Sequence, residues 1–318
     1  MWIHVQGSPD RHVLDVEVPA LERRHPEWTF TVSPEPPPAS AYEVLIAGRP
    51  GRELLAASPK LRAVVVPFAG IPERTSRLLS EFPALEVHTL HHNAGPTAEL
   101  ALALTLAAAR GVVPADRGMR RGDWTARFTP PEPSMLLDGH PATVAGYGAI
   151  GRRVARGLAA LGMRVRATRA SADRPRSDGD IVVHPARDLP ALLDDSRVTV
   201  LALPAGPDTA GLIGAEELAR LPEPSVLVNV SRAALVDEEA LYRRLLRPGF
   251  AAALDVWWEE AGGIDDAAVD VAASRFAFHE LPNVVLSPHR GGAFSIPETR
   301  RIRVDHLETA LAGLAARK

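Results

Sequence analysis

The sequence predicts an α/β protein with two domains, each built on a parallel sheet that has helices on both faces. Runs rich in valine, leucine and isoleucine alternate with helical patterns along most of the 318 residues, and repeated strand–helix–strand units form parallel sheets. Nearly continuous apolar runs, such as residues 198–203, suit strands that are covered on both faces. The length of the chain fits two domains of ordinary size.

Composition predicts the elements of the first block in chain order. Strands are expected at residues 2–6, 42–46, 61–68 and 85–90, and a helix that begins at a proline is expected at residues 72–82. Residues 97–110 are predicted to form a helix because they contain no glycine or proline and end in arginine. A stretch rich in proline and glycine follows, to about residue 141.

The second block alternates more regularly between strands and helices. Its strands are predicted at residues 143–145, 164–168, 181–184, 198–203, 226–230, 252–257 and 284–286. Its helices are predicted at residues 150–161, 188–194, 215–221 and 238–246. The blocks divide near residues 91–97, and a last helix at residues 297–316 is expected to fold back onto the first block.

Composition and charge argue against several classes of protein. The formal net charge of −3 gives no electrostatic reason to expect a nucleic-acid partner. The absence of cysteine excludes disulfides, thiolate metal sites and cysteine nucleophiles, and it fits the reducing cytoplasm. No signal peptide is predicted, and the longest apolar stretch, residues 100–109, is too short to span a bilayer. We therefore expect a cytoplasmic protein with no nucleic-acid and no membrane partner.

Residues 146–151 have the GxGxxG pattern of dinucleotide-binding turns. The pattern is informative only where a strand precedes it and a helix follows it, and both are predicted here. Gly146 permits the tight turn, Gly148 lets the backbone approach a pyrophosphate, and Gly151 allows the helix to pack closely on the strand. The amino terminus of that helix offers free N–H groups to the phosphates. This segment therefore predicts a bound dinucleotide.

The strand after this turn ends at Thr168 and Arg169, with Ser171 just beyond. An NAD-binding unit usually carries an acid here, which hydrogen-bonds the ribose 2′-hydroxyl. Arg169 suits a 2′-phosphate instead, and Ser171 adds a hydroxyl donor. The sequence therefore favours NADP over NAD, and a solvated arginine at a strand end is the alternative interpretation.

Three later strands run into Arg232, into the acids Glu259 and Glu260, and into His289. Ligands bind at the carboxyl ends of the strands in open α/β sheets. An arginine can bind a carboxylate through two hydrogen bonds and polarise the adjacent carbonyl. A histidine can exchange a proton near neutral pH, and a nearby carboxylate favours its charged form. Behind a dinucleotide turn, this set predicts hydride exchange between NAD(P)H and a small 2-keto or 2-hydroxy acid.

Four motifs resemble the D-isomer-specific 2-hydroxyacid dehydrogenases, the family of phosphoglycerate dehydrogenase and glyoxylate/hydroxypyruvate reductase. They are GYGAIG, NVSRAALVDEEAL, LDVWWEE and NVVLSPHRGG, in the order and roughly at the spacings of the family. The resemblance covers nearly the whole chain. It implies two Rossmann-like domains with the active site between them, and a cofactor domain, residues 93–292, inserted into a substrate domain, residues 1–92 and 293–318.

The resemblance also implies the roles of individual residues. Arg232 would bind the substrate carboxylate, His289 would be the acid/base, and Glu260, five residues after Asp255, would be its partner. Substrate contacts are expected from Ala69, Gly70, Ile71 and Asn93. It adds cofactor contacts from Ala149, Ile150, Val230, Ser231, Asp255 and Gly291. The cofactor contacts expected from the turn and the following strand are Gly146, Gly148, Gly151, Thr168, Arg169 and Ser171.

The chain departs from the family pattern near two of these residues. Ala233 stands where the family usually has glycine, and Ala261 stands where it usually has proline. The segment from Glu260 to His289 is also several residues longer than is typical of the family. His91 and His92 precede Asn93, but no third ligand lies at metal-ligand spacing, so no metal site is predicted.

Two other functions are compatible with this fold. Some relatives of the family are dinucleotide-sensing corepressors or scaffolds, but a sensor has no need of the proton donor that His289 supplies. Oxidation of phosphite or formate is the second alternative, and a formate enzyme is expected to have glutamine where Glu260 stands. The resemblance further implies a homodimer through the cofactor domain, involving residues 97–110 and the loop that follows.

Overall fold

The computed structural model describes residues 1–7, 14–38, 40–71, 73–259, 273–293 and 296–317. The chain divides into two compact units, Met1–Ala94 with Ala293–Lys318, and Gly95–Gly292. Each unit contains its own sheet and its own buried apolar clusters. The predicted α/β fold class is confirmed.

Strands and helices alternate through most of both units. The strands are β1 (Trp2–Gln6), β2 (Thr29–Ser33), β3 (Val44–Ile46), β4 (Ala63–Val66), β5 (Glu86–Thr89), β6 (Pro141–Ala145), β7 (Arg164–Arg169), β8 (Arg176–Asp178), β9 (Ile181–Pro185), β10 (Val198–Leu201), β11 (Ser225–Asn229), β12 (Phe250–Leu254) and β13 (Val284–Leu286). The helices are α1 (Leu14–Arg24), α2 (Arg52–Ala56), α3 (Glu73–Leu79), α4 (Ala94–Ala109), α5 (Val112–Met119), α6 (Ala149–Ala160), α7 (Leu189–Leu193), α8 (Ala215–Arg220), α9 (Glu238–Leu245) and α10 (Pro297–Ala315).

The first unit has a five-stranded parallel sheet in the order β2-β1-β3-β4-β5. Successive residues of a strand point to opposite faces. Val44 and Ile46 of β3 accordingly pack in one apolar cluster with Leu311 of α10, whereas Leu45 packs in another with Leu54 of α2. Both faces of the sheet are therefore covered, and the last helix supplies part of the covering.

The second unit has an eight-stranded sheet in the order β13-β12-β11-β10-β6-β7-β9-β8. Its described strands pair in parallel except for β8 and β9, which are antiparallel. From β6 the chain first builds the sheet towards β7 and β9, and it then returns to β10 and continues towards β13. The strand order thus reverses between β6 and β10, where open α/β sheets bind their ligands.

Two apolar clusters cover the two faces of this larger sheet. Val226 and Val228 of β11 pack in the cluster that contains Leu104 of α4 and Leu158 of α6. Leu227, between them, packs in a second cluster with residues of α7, α8 and α9, among them Leu193. Strands that are buried on both faces account for the nearly continuous apolar runs in the sequence.

The structure corrects some element bounds and adds elements that the sequence analysis did not predict. The strand predicted at residues 252–257 is wrong in its position, because β12 ends at Leu254 and the carboxylate of Asp255 is hydrogen-bonded to a neighbouring turn. The helices α1, α2 and α5 and the strands β2 and β8 were not predicted. In α1, Pro19 inside the helix hides its pattern.

Within the described ranges, no single helix combines the length and the apolar composition needed to cross a membrane. The helices α4 and α5 meet those criteria only when taken together, and they are bent by 67° at the break between them.

Two buried histidines in the first unit lead to a prediction about acid stability. Burial lowers the pKa of His4, and burial together with the positive charges of Arg303, His306 and His91 lowers the pKa of His92 to about 4. The unfolded chain binds a proton at these side chains near pH 6.5, whereas the folded protein does not. The contribution of the neutral histidines to the free energy of unfolding is therefore fully present above about pH 6.5 and is lost as the pH falls towards 4. For His92 this loss is on the order of 2–3 kcal/mol.

This pH dependence can be measured by urea unfolding at pH 7 and pH 5. We expect a lower unfolding free energy at pH 5 in the wild type and a smaller difference in His92→Gln, which cannot take up the proton. An equal difference in both proteins would show that His92 does not contribute to the acid lability.

Candidate functional site

Six neighbouring strands of the second unit end at the same level, which places their following loops along one edge of the sheet. The residues that lie side by side at this edge, each paired with the next in the neighbouring strand, are Thr168, Ala145, Leu201, Asn229, Leu254 and Leu286. The predicted site residues of this unit follow these positions within a few residues. Strands two apart in a sheet are separated by roughly 10 Å, so the loops after β11 and β13 are close enough to act on one small molecule.

The glycine-rich turn begins directly after β6, at the reversal of strand order. Gly146 has φ +100°, and a side-chain carbon there would lie 2.5 Å from the carbonyl oxygen of Ala202. A carbon on Gly151 would lie 1.8 Å from the carbonyl oxygen of Gly146. Both positions therefore require glycine, the first for backbone conformation and contact and the second for close packing of α6 on the turn.

Gly148 has a different environment from the other two glycines. It is exposed, it precedes α6, and a side-chain carbon on it would have no atom within 4 Å. The first N–H groups of a helix have no intrahelical partners, and α6 begins at the exposed residue Ala149, followed by Ile150. Open space beside free N–H groups at a helix amino terminus is suited to a phosphate. The residues present thus fit the dinucleotide that the turn predicts.

The glycine-rich turn is held by hydrogen bonds to β7 and to β8, the edge strand that pairs antiparallel with β9. The backbone N–H groups of Gly146 and Tyr147 donate to the carbonyl oxygen of Thr168 at 3.1 and 2.8 Å, and the side chain of Thr168 is buried. The buried Tyr147 donates its hydroxyl to Asp178 Oδ2 at 2.9 Å, and the guanidinium of Arg152 lies 5.5 Å from its ring centre. The GxGxxG pattern does not predict this pair, because it leaves the second position open.

Arg169 is the last residue of β7, and its Nε donates to Ser171 Oγ at 2.8 Å. The two residues predicted to meet a 2′-phosphate are therefore in direct contact. Arg169 is half-buried and Ser171 is exposed. A guanidinium and a hydroxyl at the open end of this strand form a small donor group that matches a phosphate better than a bare ribose.

Arg232 lies on a loop that the buried Asn229 shapes. Asn229 donates from Nδ2 to the carbonyl oxygen of Arg232 at 2.9 Å and accepts from the N–H of Ser231 at 3.0 Å. Ser231 Oγ donates to the carbonyl oxygen of Leu203, and Val230 is buried. The side chain of Arg232 is exposed, and its Nη1 donates to the carbonyl oxygen of Ser231 at 2.6 Å. The loop is fixed while the guanidinium remains accessible to a ligand.

His289 is exposed and has φ +51°, the left-handed conformation that residues other than glycine seldom adopt. The residues after it are bound to the buried Asp255, which accepts from the N–H groups of Arg290 at 2.9 Å and Gly291 at 2.8 Å and from the hydroxyl of Ser287. Within the second unit, Asp255 therefore holds the turn that carries His289. The sequence predicted only a cofactor contact for Asp255.

Glu260, the predicted partner of His289, lies outside the described residues. Its neighbour Glu259 is exposed, and the N–H of Glu259 donates to the carbonyl oxygen of Ala273 at 3.1 Å. Both preceding tryptophans pack within the second unit: Trp257 donates to the carbonyl oxygen of Ser287 at 2.8 Å, and Trp258 donates to that of Val236 at 3.3 Å.

The four predicted substrate residues lie in the first unit. Ala69 and Gly70 are half-buried on the loop after β4, and Ile71 and Phe68 pack against the cluster that contains Leu45. Asn93 is also half-buried. Its Oδ1 is buried and has no hydrogen-bond partner in the part of the chain that the structure describes. A donor from a ligand would satisfy this oxygen.

The family model described as "D-isomer specific 2-hydroxyacid dehydrogenase, NAD binding domain" matches residues 102–291. A glyoxylate reductase from Aeropyrum pernix is 32% identical over 95% of this chain and 86% of its own length. A glyoxylate reductase from Korarchaeum cryptofilum is 34% identical over 76% of this chain and 70% of its own length.

Solved structures agree with these matches. The TT0316 protein from Thermus thermophilus is 28% identical, with a TM-score of 0.71 over 100% of this chain and 98% of that one. A D-isomer specific 2-hydroxyacid dehydrogenase from Xanthobacter autotrophicus, solved with NADPH, is 24% identical, with a TM-score of 0.77 over 99% and 96% of the two chains. At that identity the second likeness shows the fold alone.

Proposed function

This chain belongs to the D-isomer specific 2-hydroxyacid dehydrogenase family, and we propose that it reduces a small 2-keto acid of the glyoxylate or hydroxypyruvate class with NADPH. It is an NAD(P)-dependent dehydrogenase of 2-hydroxy acids. The observation that carries the finer proposal is that the glycine-rich turn, Arg169, Arg232 and His289 all lie at or just after the ends of neighbouring strands, on one edge of one sheet.

Arg232 would bind the carboxylate of the substrate and polarise its keto group. Its guanidinium is exposed, on a loop that is held by two hydrogen bonds between the side chain of Asn229 and the loop backbone. An arginine can bind a carboxylate through two parallel hydrogen bonds, which orients a small acid as well as holding it. As negative charge develops on the keto oxygen, the same positive charge stabilises the transition state.

His289 would donate the proton to the keto oxygen during reduction. It follows β13, whose end is level with that of β11, so it is within a short distance of the loop that carries Arg232. An imidazole changes its charge near neutral pH, which suits a proton donor. The assignment of Glu260 as the carboxylate that favours its charged form stays a prediction.

The first unit would be the substrate domain, and the second would bind the cofactor. Support for this division comes from the glycine turn in the second unit and from Asn93 Oδ1 and the half-buried loop at Ala69 and Gly70 in the first. The cytoplasmic location likewise stays a prediction.

NADPH would be the preferred cofactor because Arg169 and Ser171 form a donor group where an acid would select NADH. When bound, the nicotinamide supplies the hydride. Arg169→Asp reverses the charge at this point, so we expect it to repel a 2′-phosphate and to accept from ribose hydroxyls. One charge-assisted contact is worth roughly 1.5–3 kcal/mol, so the ratio of kcat/KM for NADPH over NADH should fall by about 10- to 150-fold.

The measurement is kcat/KM for both cofactors with one good keto acid. Arg164→Asp is the matched control, because Arg164 is exposed at the opposite end of the same strand. It should leave the ratio unchanged. A wild-type ratio that favours NADH, or an Arg169→Asp variant that keeps the wild-type ratio, would remove Arg169 from cofactor selection.

A homodimer through the second unit is supported by apolar side chains that are exposed around α4 and α5. These residues are Leu106, Val112, Met119, Trp124, Phe128 and Leu136, and Phe128 is 79% exposed. A concentration of large apolar residues on a surface is typical of a protein interface. We expect Phe128→Asp to lower the mass in sedimentation from dimer to monomer. Leu246→Asp, at another exposed leucine of this unit, should not. A monomeric wild type would contradict the proposal.

The function is tested by incubating the purified protein with NADPH and a panel of 2-keto acids while the nicotinamide absorbance is followed. We expect the absorbance of NADPH to fall rapidly with glyoxylate or hydroxypyruvate. Binding of NADPH without turnover of any keto acid would favour the dinucleotide sensor. Reduction of NADP by phosphite or formate, with no keto-acid activity, would favour oxidation of a small anion.

A further inference from the structure

Thr97, in the first turns of α4, uses its hydroxyl outside its own helix. Its Oγ1 donates to the carbonyl oxygen of Gly291 at 3.0 Å, and the side chain is 4% exposed. Thr105, in the same helix and fully buried, instead donates to the carbonyl oxygen of Ala101 at 2.7 Å, the residue one turn earlier. The latter is the usual bond of a threonine within a helix. Thr97 therefore connects α4 to a segment 194 residues away.

Gly291 is held on both sides of its backbone. Its N–H donates to Asp255 Oδ2 at 2.8 Å, while its carbonyl oxygen accepts from Thr97. A side-chain carbon on Gly291 would lie 2.8 Å from that same carboxylate oxygen. Asp255 is buried and also accepts from the N–H of Arg290 and the hydroxyl of Ser287. These bonds fix the backbone of the two residues after His289 and the side chain of Ser287, two residues before it.

The conformation of His289 explains why its turn needs these bonds. At φ +51°, the Cβ of a residue other than glycine crowds its own backbone, which costs about 1–2 kcal/mol that the surrounding bonds must offset. The imidazole itself is exposed. The backbone of this turn sets the position of the Cβ from which the imidazole extends. A bond that holds Gly291, two residues later, restricts how far this backbone can relax.

We propose that Thr97 is a positioning residue, whose hydroxyl holds Gly291 and thereby keeps His289 aimed at the reacting keto oxygen. The proposal rests on the proposed function, in which His289 donates the proton. A loss of alignment of about 1 Å can cost on the order of 100-fold in rate. Because Asp255 still holds the N–H of Gly291, the loss of one of the two bonds should cost less.

The test compares Thr97→Val with Thr105→Val, which makes the same substitution at a buried position of the same helix. With NADPH and the best keto acid, we expect kcat to fall about 10-fold in Thr97→Val while KM for the keto acid, which Arg232 binds, stays within about 2-fold. Thr105→Val should keep the wild-type kcat. Thr97→Ser restores the hydroxyl without the methyl group and should recover most of kcat.

Equal kcat values in the two valine variants would overturn the proposal, and so would a Thr97→Ser variant as slow as Thr97→Val. If Thr97→Val does not fold, Thr97→Ala and Thr97→Ser give the same comparison of a hydroxyl with none, and equal kcat values there would also overturn it. Two further results keep the proposals apart. A wild-type protein that turns over no keto acid refutes the proposed function, and an active His289→Asn variant refutes the role of His289 on which the positioning proposal rests. An inactive His289→Asn variant alongside a normal Thr97→Val refutes only the positioning role.

Discussion

Replacing His289 with asparagine should lower kcat for keto-acid reduction by on the order of 10³-fold, the usual contribution of a positioned proton donor. Asparagine is polar and adopts the left-handed backbone conformation more readily than most residues, so it should keep the turn at φ +51°. The loss would then report on the missing proton and not on a rearranged loop. KM for NADPH should stay within about 2-fold, because the glycine-rich turn at which we propose the phosphates bind lies several strands away.

The matched control is His279→Asn, at a histidine of the same unit whose side chain is 73% exposed. It should have wild-type kinetics and a wild-type unfolding temperature. If His289→Asn retained more than about a tenth of the wild-type kcat, its loss would fall below the range expected for a positioned proton donor, and another donor would have to be sought.

Gly148→Val is expected to abolish tight binding of NADPH while leaving the protein folded. The backbone of Gly148 is extended, at φ −91° and ψ −157°, and its missing side chain would point into open space. The valine can therefore be accommodated at about 1 kcal/mol in lost helix capping, but it occupies the place where a phosphate would meet the N–H groups of α6. We expect binding at least about 100-fold weaker, since close approach of the backbone to the pyrophosphate is what this glycine provides.

Gly151→Ala gives the contrasting result. Its new carbon would overlap the carbonyl oxygen of Gly146, so we expect a lower unfolding temperature as well as weaker binding. Binding is measured by quenching of tryptophan fluorescence, and folding by thermal unfolding. Wild-type affinity for NADPH in Gly148→Val would mean that the phosphates do not bind at this turn.

The sequence predicted those features whose cause is local. The turn at residues 146–151 could be located because its glycines, the strand before them and the helix after them are adjacent in sequence. The parallel sheets could be inferred because doubly covered strands are apolar throughout. The end of the twelfth strand could not be located in this way. The strand pairing between β11 and β12 ends at Leu254. The carboxylate of the next residue, Asp255, accepts a hydrogen bond from the N–H of Gly291, which is distant in sequence.

The supporting residues of the site were missed because their partners are distant in sequence. Thr97 and Gly291 are 194 residues apart, and Tyr147 and Asp178 are 31 apart. Neither pair has a pattern that a single sequence shows. Asn229 is different, because an asparagine at a strand end, two residues before a loop serine, has the spacing of a side-chain turn. That signal was available, and it would have identified how the loop of Arg232 is shaped.

The most direct test of hydride transfer to a keto acid uses NADPH that carries deuterium at the transferred position. After incubation with glyoxylate and the wild-type protein, mass spectrometry of the product shows where the deuterium has gone. We expect one deuterium on the carbon that bore the keto group, in an amount equal to the NADPH consumed. Consumption of NADPH without deuterium in glycolate, or no consumption with glyoxylate or hydroxypyruvate, would contradict the proposed reaction.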